Sequence, residues 1–373
     1  MADPSVHDPA VLDPAAATIA DVRVEPLRVP LTRPWGADVV DVRISAVTVT
    51  ASDGAVGAGF SWTPTIGGEA VTALLRHDIA PFVTGLPAGP EIWTQVWERL
   101  HEAGGGGLTT IALAGLDLAL WDLRARRAGL PLVDLLGRRH RAQPVYGSGV
   151  NLHYPLEELT AQVRRWVAAG CTGVKVKIGR PDLAEDLERL AAVREVLGPD
   201  RELMVDANQR WDLDRALRAA AALEPLGVAW LEEPLRADDT AGYVALRSAT
   251  SIPLALGENV HTWYRFRDLI DAGAVDVLQP NVIRVGGITP FLRIADLARD
   301  AGLQLAPHLL PELSGQLALT LPGRTWVEDV EDAGFADLGA LVEPTGGRIQ
   351  DGWFNGGDRP GLGFAFRTPG EAA

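Results

Sequence analysis

The sequence predicts a two-part α/β protein, in which an α+β domain is followed by an eight-stranded parallel β/α barrel. Three observations carry that prediction. Strands precede helices over the first ~140 residues, the order of an α+β unit. After Pro144, short apolar strands alternate with amphipathic helices, the pattern of parallel β/α construction. Eight such strands fall within roughly 190 residues, which suits a closed barrel better than an open doubly wound sheet.

The elements follow in order. Residues 1–21 are rich in Asp, Pro and Ala and read as a loose extension, without the basic start and apolar centre of a signal peptide. Within 22–142, Val22, Val24, Leu27 and Val29 alternate as a strand does. Ile44, Val47 and Val49 then lead to the hairpin signal Asp53-Gly54 and on to Phe60 and Trp62. Helical spacing covers 69–83 and 91–102, breaks at Gly104–Gly107, and resumes in a long helix, Leu108–Ala128, closed by Gly129 and Pro131. The barrel occupies 143–328, with strands expected at 145–151, 173–178, 203–208, 228–233, 254–259, 275–281, 303–308 and 325–328. Helices such as 156–169, Leu183–Leu197 and Leu213–Leu223 lie between them, and Gly170, Gly198 and Gly227 are placed to accept the left-handed conformation that ends a helix. No G-x-G-x-x-G opens the first of these helices, so a dinucleotide-binding fold loses support. The Gly- and Pro-rich stretch 329–373 lacks βα periodicity. Its Gly352 to Phe366 portion is expected to return to the first domain as loop and short strand.

Composition limits function without naming it. A hydrophobic fraction of 47% with 22% charged residues is that of an ordinary soluble protein, and no apolar run is long enough to span a bilayer. A cytoplasmic, membrane-free protein is the default expectation. The single cysteine, Cys171, excludes an internal disulfide and a cysteine-rich zinc site, and reads as a small core residue. A formal charge of −15 argues against nucleic acid as the main partner, yet leaves room for a small anionic substrate in a local cationic pocket.

In a β/α barrel the side chains at the C-terminal ends of the strands converge on one pocket. That filter selects Lys175 and Lys177, Asp206 and Asn208, Glu232 and Glu233, Glu258, Asn281, His308 and Glu328. Asp206, Glu232 and Glu258 recur at intervals of 26 residues, one βα unit each, and so should stand side by side at the barrel mouth. Any one of them alone reads equally as an ion-pair partner. Three in register are costly without a cation, and carboxylate oxygens suit a hard ion such as Mg²⁺. Lys175 and Lys177 are two apart on an apolar strand, so both point to one side. Burial and mutual repulsion are expected to lower a lysine pKa and make a usable base. His308 begins the loop after the seventh strand. Glu328 is either a protonated donor to a developing enolate or a structural ion-pair partner.

These residues, set in Val205-Asp-Ala-Asn-Gln209, Trp230-Leu-Glu-Glu-Pro234 and Leu256-Gly-Glu-Asn259, resemble the mandelate racemase group of the enolase superfamily. The similarity extends to Gly115–Asp122, Gly129-Leu-Pro-Leu132 and Arg284-Val-Gly-Gly-Ile-Thr289, and covers nearly the whole chain. It implies a modified TIM barrel, (β/α)7β, under an N-terminal α+β capping domain completed by the C-terminal segment. It also implies Mg²⁺ on Asp206, Glu232 and Glu258, Lys177 as base, Lys175 beside the substrate carboxylate, His308 as acid/base on the opposite face and Glu328 as donor to the enolate. Asn208 matches a substrate-contacting position. The family's specificity loops fall near 32–39 and 61–67, which offers Arg33, Trp35 and Trp62 as substrate-binding candidates and brings Asp38 and Thr63 close. A homo-oligomer is the usual assembly.

One departure matters. Relatives carry an aspartate after strand six to orient and charge the histidine, whereas this chain has Asn281. Asparagine can only hydrogen-bond and can select the other tautomer. Asp276, five residues earlier, is expected near the far end of the barrel. The expected reaction is therefore α-proton abstraction from a carboxylate followed by β-hydroxyl loss, the work of a sugar-acid or hydroxy-acid dehydratase. A racemase or epimerase of a 2-hydroxy acid is the first rival, and a catalytically silent binding barrel the rival of another class. A cycloisomerase is disfavoured because no lysine replaces Asn281.

Overall fold

The computed structural model describes residues 17–36, 39–357 and 359–367. The expected extension 1–21 therefore lies mostly outside the described residues, as does Asp38.

The first domain is a three-stranded antiparallel sheet, β1 (Ile19–Trp35), β2 (Val39–Ala51) and β3 (Val56–Thr63), backed by helices. β1 begins three residues before the expected Val22, because Ile19 pairs with Ala51. Helical turns run from Gly68 to Val83 with a π segment at Leu74–Ile79, where the sequence pattern predicts one continuous helix. The long helix α1 (Leu108–Ala128) is buried on almost every side. It lies so close to β3 that a Cβ on Gly59 would come within 2.4 Å of the Ala119 nitrogen and the Gly115 oxygen.

The barrel strands are β4 (Ala142–Ser148), β5 (Gly173–Lys177), β6 (Glu202–Asp206), β7 (Leu231–Glu232), β8 (Leu254–Leu256), β9 (Val277–Leu278), β10 (Gln304–Leu305) and β11 (Val327–Val330). They pair in parallel in chain order from β4 to β10, and β11 returns to pair with β4. The β10–β11 seam is bridged by the Thr325 hydroxyl, which donates to the Leu305 carbonyl. Aspartate caps start the intervening helices: Asp182 accepts from the Ala184 amide ahead of α2 (Leu183–Leu197), and Asp212 from the Arg215 amide ahead of α3 (Leu213–Leu223). Inside the barrel, Tyr146, Met204, Trp230, Ala255, Val277 and Ala306 form a separate apolar layer beneath the mouth.

Most ladders stop short of the expected strand ends, which leaves Asn208, Glu258, Asn281 and His308 in the turns just beyond. Three of these exits have a local cause. Asn208 sits at φ 44° and Gly257 at φ 154°, and a Cβ at Gly257 would clash with the Gln279 backbone at 2.6 Å. Pro280 removes a ladder donor before Asn281.

The C-terminal segment divides its loyalties. Its hairpin, β12 (Arg348–Gln350) and β13 (Trp353–Asn355), pairs with β4 of the barrel rather than with the first domain. Residues 361–366 do return there: the Leu362 amide donates to Asp122 at 2.7 Å, and Phe364 packs 4.8 Å from Phe60 between ring centroids.

The first domain caps the barrel mouth through α1 and the loop after β9. Trp93 Nε1 donates to the Gly286 carbonyl and the Thr110 hydroxyl to the Arg284 carbonyl, both at 2.8 Å. Asp117 accepts from the Thr289 hydroxyl at 2.6 Å and from its amide at 3.0 Å. Burial pushes the Asp117 carboxyl up to about 7, against the pull of those Thr289 bonds.

Candidate active site

Ten of the residues selected from the strand-end pattern meet at one end of the barrel. Lys175, the last but two of β5, is fully buried, with its ammonium 2.6 Å from Glu232, 2.7 Å from Glu328 and 3.8 Å from Asp206. Its Nζ stands 5.5 Å from the Tyr146 ring centroid, directly above the apolar layer. Lys177, two residues on, points the same way and pairs with Asp206. The sequence expectation of lowered lysine pKa values does not hold in this arrangement. Burial acts to lower both, but Glu232 and Glu328 around Lys175, and Asp206 beside Lys177, outweigh it and raise them.

Asp206, Glu232 and Glu258 each offer an oxygen, and these oxygens all lie within 4.8 Å of one another. Every carboxylate is oriented by fixed donors. Asp206 accepts from the Asn208 amide at 2.8 Å, which the left-handed backbone at Asn208 makes possible. The second oxygen of Glu232 accepts from Gln279 Nε2 at 2.6 Å and Trp230 Nε1 at 3.1 Å. Glu258 accepts from Asn259 Nδ2 at 3.0 Å. Burial raises Glu232 to about 7, with Asp206 and Glu328 adding to the shift and the lysines opposing it. Glu233, also buried, is raised well above its ordinary range by burial and by Glu258. Five buried carboxylates thus face three permanent cations, Lys175, Lys177 and Arg284. An all-oxygen donor set of this kind suits a hard divalent cation. The donor set fits.

Glu328 differs from one of its two expected readings. Burial would raise its pKa, but Lys175, 2.7 Å away, holds it below the ordinary carboxylate range. It is an ionised acceptor, taking the Leu309 amide at 2.9 Å and the Lys175 ammonium, and not a protonated donor.

His308 stands between Asn281 and the acids. Its Nδ1 is 3.0 Å from Asn281 Nδ2, and its Nε2 is 2.8 Å from Glu258. The orientation of the Asn281 amide follows from its surroundings: Oδ1 accepts the backbone N–H groups of Ile283 at 3.0 Å and Arg284 at 3.1 Å. Nδ2 is then the atom left for His308, and since it only donates, Nδ1 of the imidazole must accept. The imidazole proton therefore lies on Nε2, which faces a carboxylate that can only accept. Asp276 is no substitute partner, because it is bound to Arg247 at 2.7 Å and to the Leu254 amide at 3.0 Å at the start of the strands.

A cavity of about 180 Å³ opens over this cluster. Trp35, Trp62 and Pro64 of the cap line it, together with Val150, Leu309 and Val330 of the barrel and Lys177, Asn208, Arg284, His308 and Glu328 of the cluster. Arg33, expected here, is absent from the lining. It is bound to Glu158 at 3.0 Å and stacks on Tyr154. Strand alternation alone would put Arg33 and Trp35, two residues apart, on one face, but they lie at the strand's irregular end, where the pairing register shifts. Arg284 was not singled out from the sequence as a site residue. It donates to the Glu258 carbonyl at 3.0 Å and to the Asn259 side chain. The signal was its position three residues after Asn281, in the Arg-Val-Gly-Gly run.

Fold and site together define a barrel that gathers carboxylates for a cation beside a lysine base. The N-terminal domain model of mandelate racemase / muconate lactonizing enzymes matches residues 16–137, and the enolase C-terminal domain-like model matches residues 158–369. The chain belongs to the mandelate racemase / muconate lactonizing enzyme family of the enolase superfamily. It is 38% identical over 354 residues to a 3,6-anhydro-α-L-galactonate cycloisomerase of Streptomyces coelicolor, which spans 93% of this chain and 97% of the relative. It is likewise 38% identical over 331 residues to an L-talarate/galactarate dehydratase of Salmonella typhimurium, covering 88% of this chain and 81% of that one. Among solved structures, an L-talarate dehydratase from Polaromonas complexed with Mg and L-glucarate superimposes with a TM-score of 0.84 at 38% identity, over 94% of this chain and 96% of the other. Among the described residues no helix is long and apolar enough to cross a membrane.

Proposed function

We propose that this protein removes the α-proton of a hydroxy-carboxylate and expels the β-hydroxyl, as an acid-sugar or hydroxy-acid dehydratase. The observation that carries this reading is the amide of Asn281, locked so that His308 presents Nε2–H to the site. A racemase needs a lone pair on each face of the substrate carbon, and this imidazole has its lone pair turned away. An elimination needs one base and a hydrogen-bond donor near the leaving oxygen, which is what remains.

Asp206, Glu232 and Glu258 would hold Mg²⁺, the ion bound in the Polaromonas neighbour. When bound, that ion supplies positive charge to the substrate carboxylate as it becomes an enediolate. The chain's own residues do the rest. Lys175, held on three sides by carboxylates, keeps its charge and lends it to the carboxylate end of the substrate. Lys177 reaches the cavity and takes the α-proton in its neutral form. Its present partner, Asp206, belongs to the cation-holding set. His308 Nε2–H donates to the departing hydroxyl. The proton collected by Lys177 and the hydroxide then leave together as water, so the cycle balances with a single base. Glu328 holds Lys175 and the Leu309 amide in place.

The similarity to the anhydrogalactonate cycloisomerase favours a second reading, in which the same proton removal is followed by rearrangement at a ring oxygen instead of loss of hydroxide. One assay separates these outcomes. A panel of acids is incubated with enzyme and Mg²⁺, 2-keto acid is captured with semicarbazide, and α-deuterium incorporation is followed in D₂O. Dehydration yields the semicarbazone from an open-chain hydroxy acid, cycloisomerisation requires a cyclic ether substrate, and racemisation yields exchange at both epimers without keto acid. Lys177→Ala should abolish exchange, and undiminished exchange in that variant would refute the base assignment.

A further inference from the structure

The cavity above the reactive cluster has two unlike halves. Every charged group that lines it belongs to the cluster. Lys177 is paired with Asp206, and Arg284 is bound to the Glu258 carbonyl and the Asn259 side chain. The part of the wall supplied by the cap is Trp35, Trp62 and Pro64. The two indoles meet edge to face, with ring centroids 6.4 Å apart and planes at 79°, and Trp62 is only 6% exposed. Val150, Leu309 and Val330 continue the apolar surface on the barrel side. The nearest candidate cation on the cap strand, Arg33, is committed to Glu158 outside the cavity.

We propose that the substrate carries a single carboxylate, and that its far end is apolar or presents C–H surface, as in a deoxy, anhydro or aryl-substituted 2,3-dihydroxy acid. This rests on the proton-abstraction reading, since it assumes that the substrate's carboxylate lies at the lysine and acid cluster. A second carboxylate at the far end of an open-chain diacid would lie against indole and proline carbons, with no cation among Trp35, Trp62 and Pro64 to receive it. An aromatic or aliphatic end instead gains contact area there. In this respect the chain parts from the Polaromonas neighbour, whose ligand, L-glucarate, has a carboxylate at each end.

The test compares two sets of acids on the full-length enzyme with Mg²⁺. One set holds monocarboxylates with apolar or C–H-rich ends: 3-phenylglycerate, 6-deoxyhexonates and 3,6-anhydro-L-galactonate. The other holds the diacids galactarate, L-talarate and L-glucarate. Exchange of the α-proton in D₂O and keto-acid formation are read for each. At least one monocarboxylate is expected to exceed every diacid by about 100-fold in kcat/KM. Trp35→Arg, which puts a cation into the cap wall, is expected to move that ratio toward the diacids by about tenfold, through KM rather than kcat. Turnover of diacids as good as or better than that of the monocarboxylates would overturn the substrate class and leave the proton-abstraction reading standing. Absence of exchange with every acid of both sets would overturn that reading, and the substrate class with it. The wild-type comparison decides the matter even where Trp35→Arg fails to fold.

Discussion

Replacing Asn281 by aspartate should convert His308 from a donor into a base. In the native arrangement Oδ1 of Asn281 serves two backbone N–H groups, that of Ile283 buried and that of Arg284 part-buried, at 3.0 and 3.1 Å, so Nδ2 faces His308. Turning the amide over, so that it could accept from Nδ1–H, would leave two backbone donors opposite an NH₂ group. At about 1–3 kcal/mol for a buried donor left unmet, the cost is about 2 kcal/mol. The base-competent tautomer is then held to about 3% of the population. Aspartate removes that restriction, because one oxygen keeps the backbone bonds and the other accepts Nδ1–H, leaving the Nε2 lone pair toward the substrate. The base-competent fraction rises from about 3% to nearly all, so proton exchange on the His308 face should increase by about 30-fold. The assay follows deuterium incorporation in D₂O from both C2 epimers of a substrate found by the keto-acid screen. Wild type should exchange one epimer, and Asn281→Asp both. Nitrogen NMR of the imidazole, assigned against His308→Gln, should show Nδ1 unprotonated in wild type and protonated in the variant. If wild type already exchanges both epimers, or if the variant changes neither the exchange nor the nitrogen spectrum, the tautomer argument is wrong.

Three further outcomes follow from the same geometry. Glu258→Gln removes one charge from the oxygen triad and should weaken Mg²⁺ binding by more than about tenfold in calorimetry, while circular dichroism shows the fold retained. Asp117, whose carboxyl is raised to about 7 by burial between α1 and the loop after β9, should make stability depend on pH. Between its unfolded pKa, near 4, and about 7 the folded state holds a proton that the unfolded state has lost. The Asp117 contribution should therefore be greatest below pH 4, fall by about 1.4 kcal/mol per unit through that window, and be level above it. Asp117→Asn should remove this contribution from the slope of the melting temperature against pH, and an unchanged slope would refute the assignment. Gly59→Ala would drive a methyl to within 2.4 Å of the α1 backbone, so denaturant unfolding should report a loss of about 1–3 kcal/mol or more.

The residues that were legible in the sequence share one property: their position along the chain determines their position in space. A parallel barrel advances one strand per βα unit, so Asp206, Glu232 and Glu258 had to be neighbours, and an i, i+2 pair on β5 had to share a face. Where the chain leaves regular structure that relation fails. Arg33 and Trp35 looked equivalent in the sequence, but one turns to Glu158 and the other lines the cavity, and only the irregular end of β1 separates them. Protonation was the hardest to read, because it depends on how many charges meet. Burial and a neighbouring ammonium suggested a low pKa for each lysine, whereas the carboxylates gathered from β6, β7 and β11 reverse the sign. Burial is the main cause that raises Glu232 and Glu233, and the surplus of negative charge that raises the lysines adds to it. A divalent cation among Asp206, Glu232 and Glu258 would take up that surplus and loosen the hold of Asp206 on Lys177. The affinity of the metal site and the basicity of Lys177 are therefore one coupled quantity, and a substitution that weakens the first should also slow proton removal by the second.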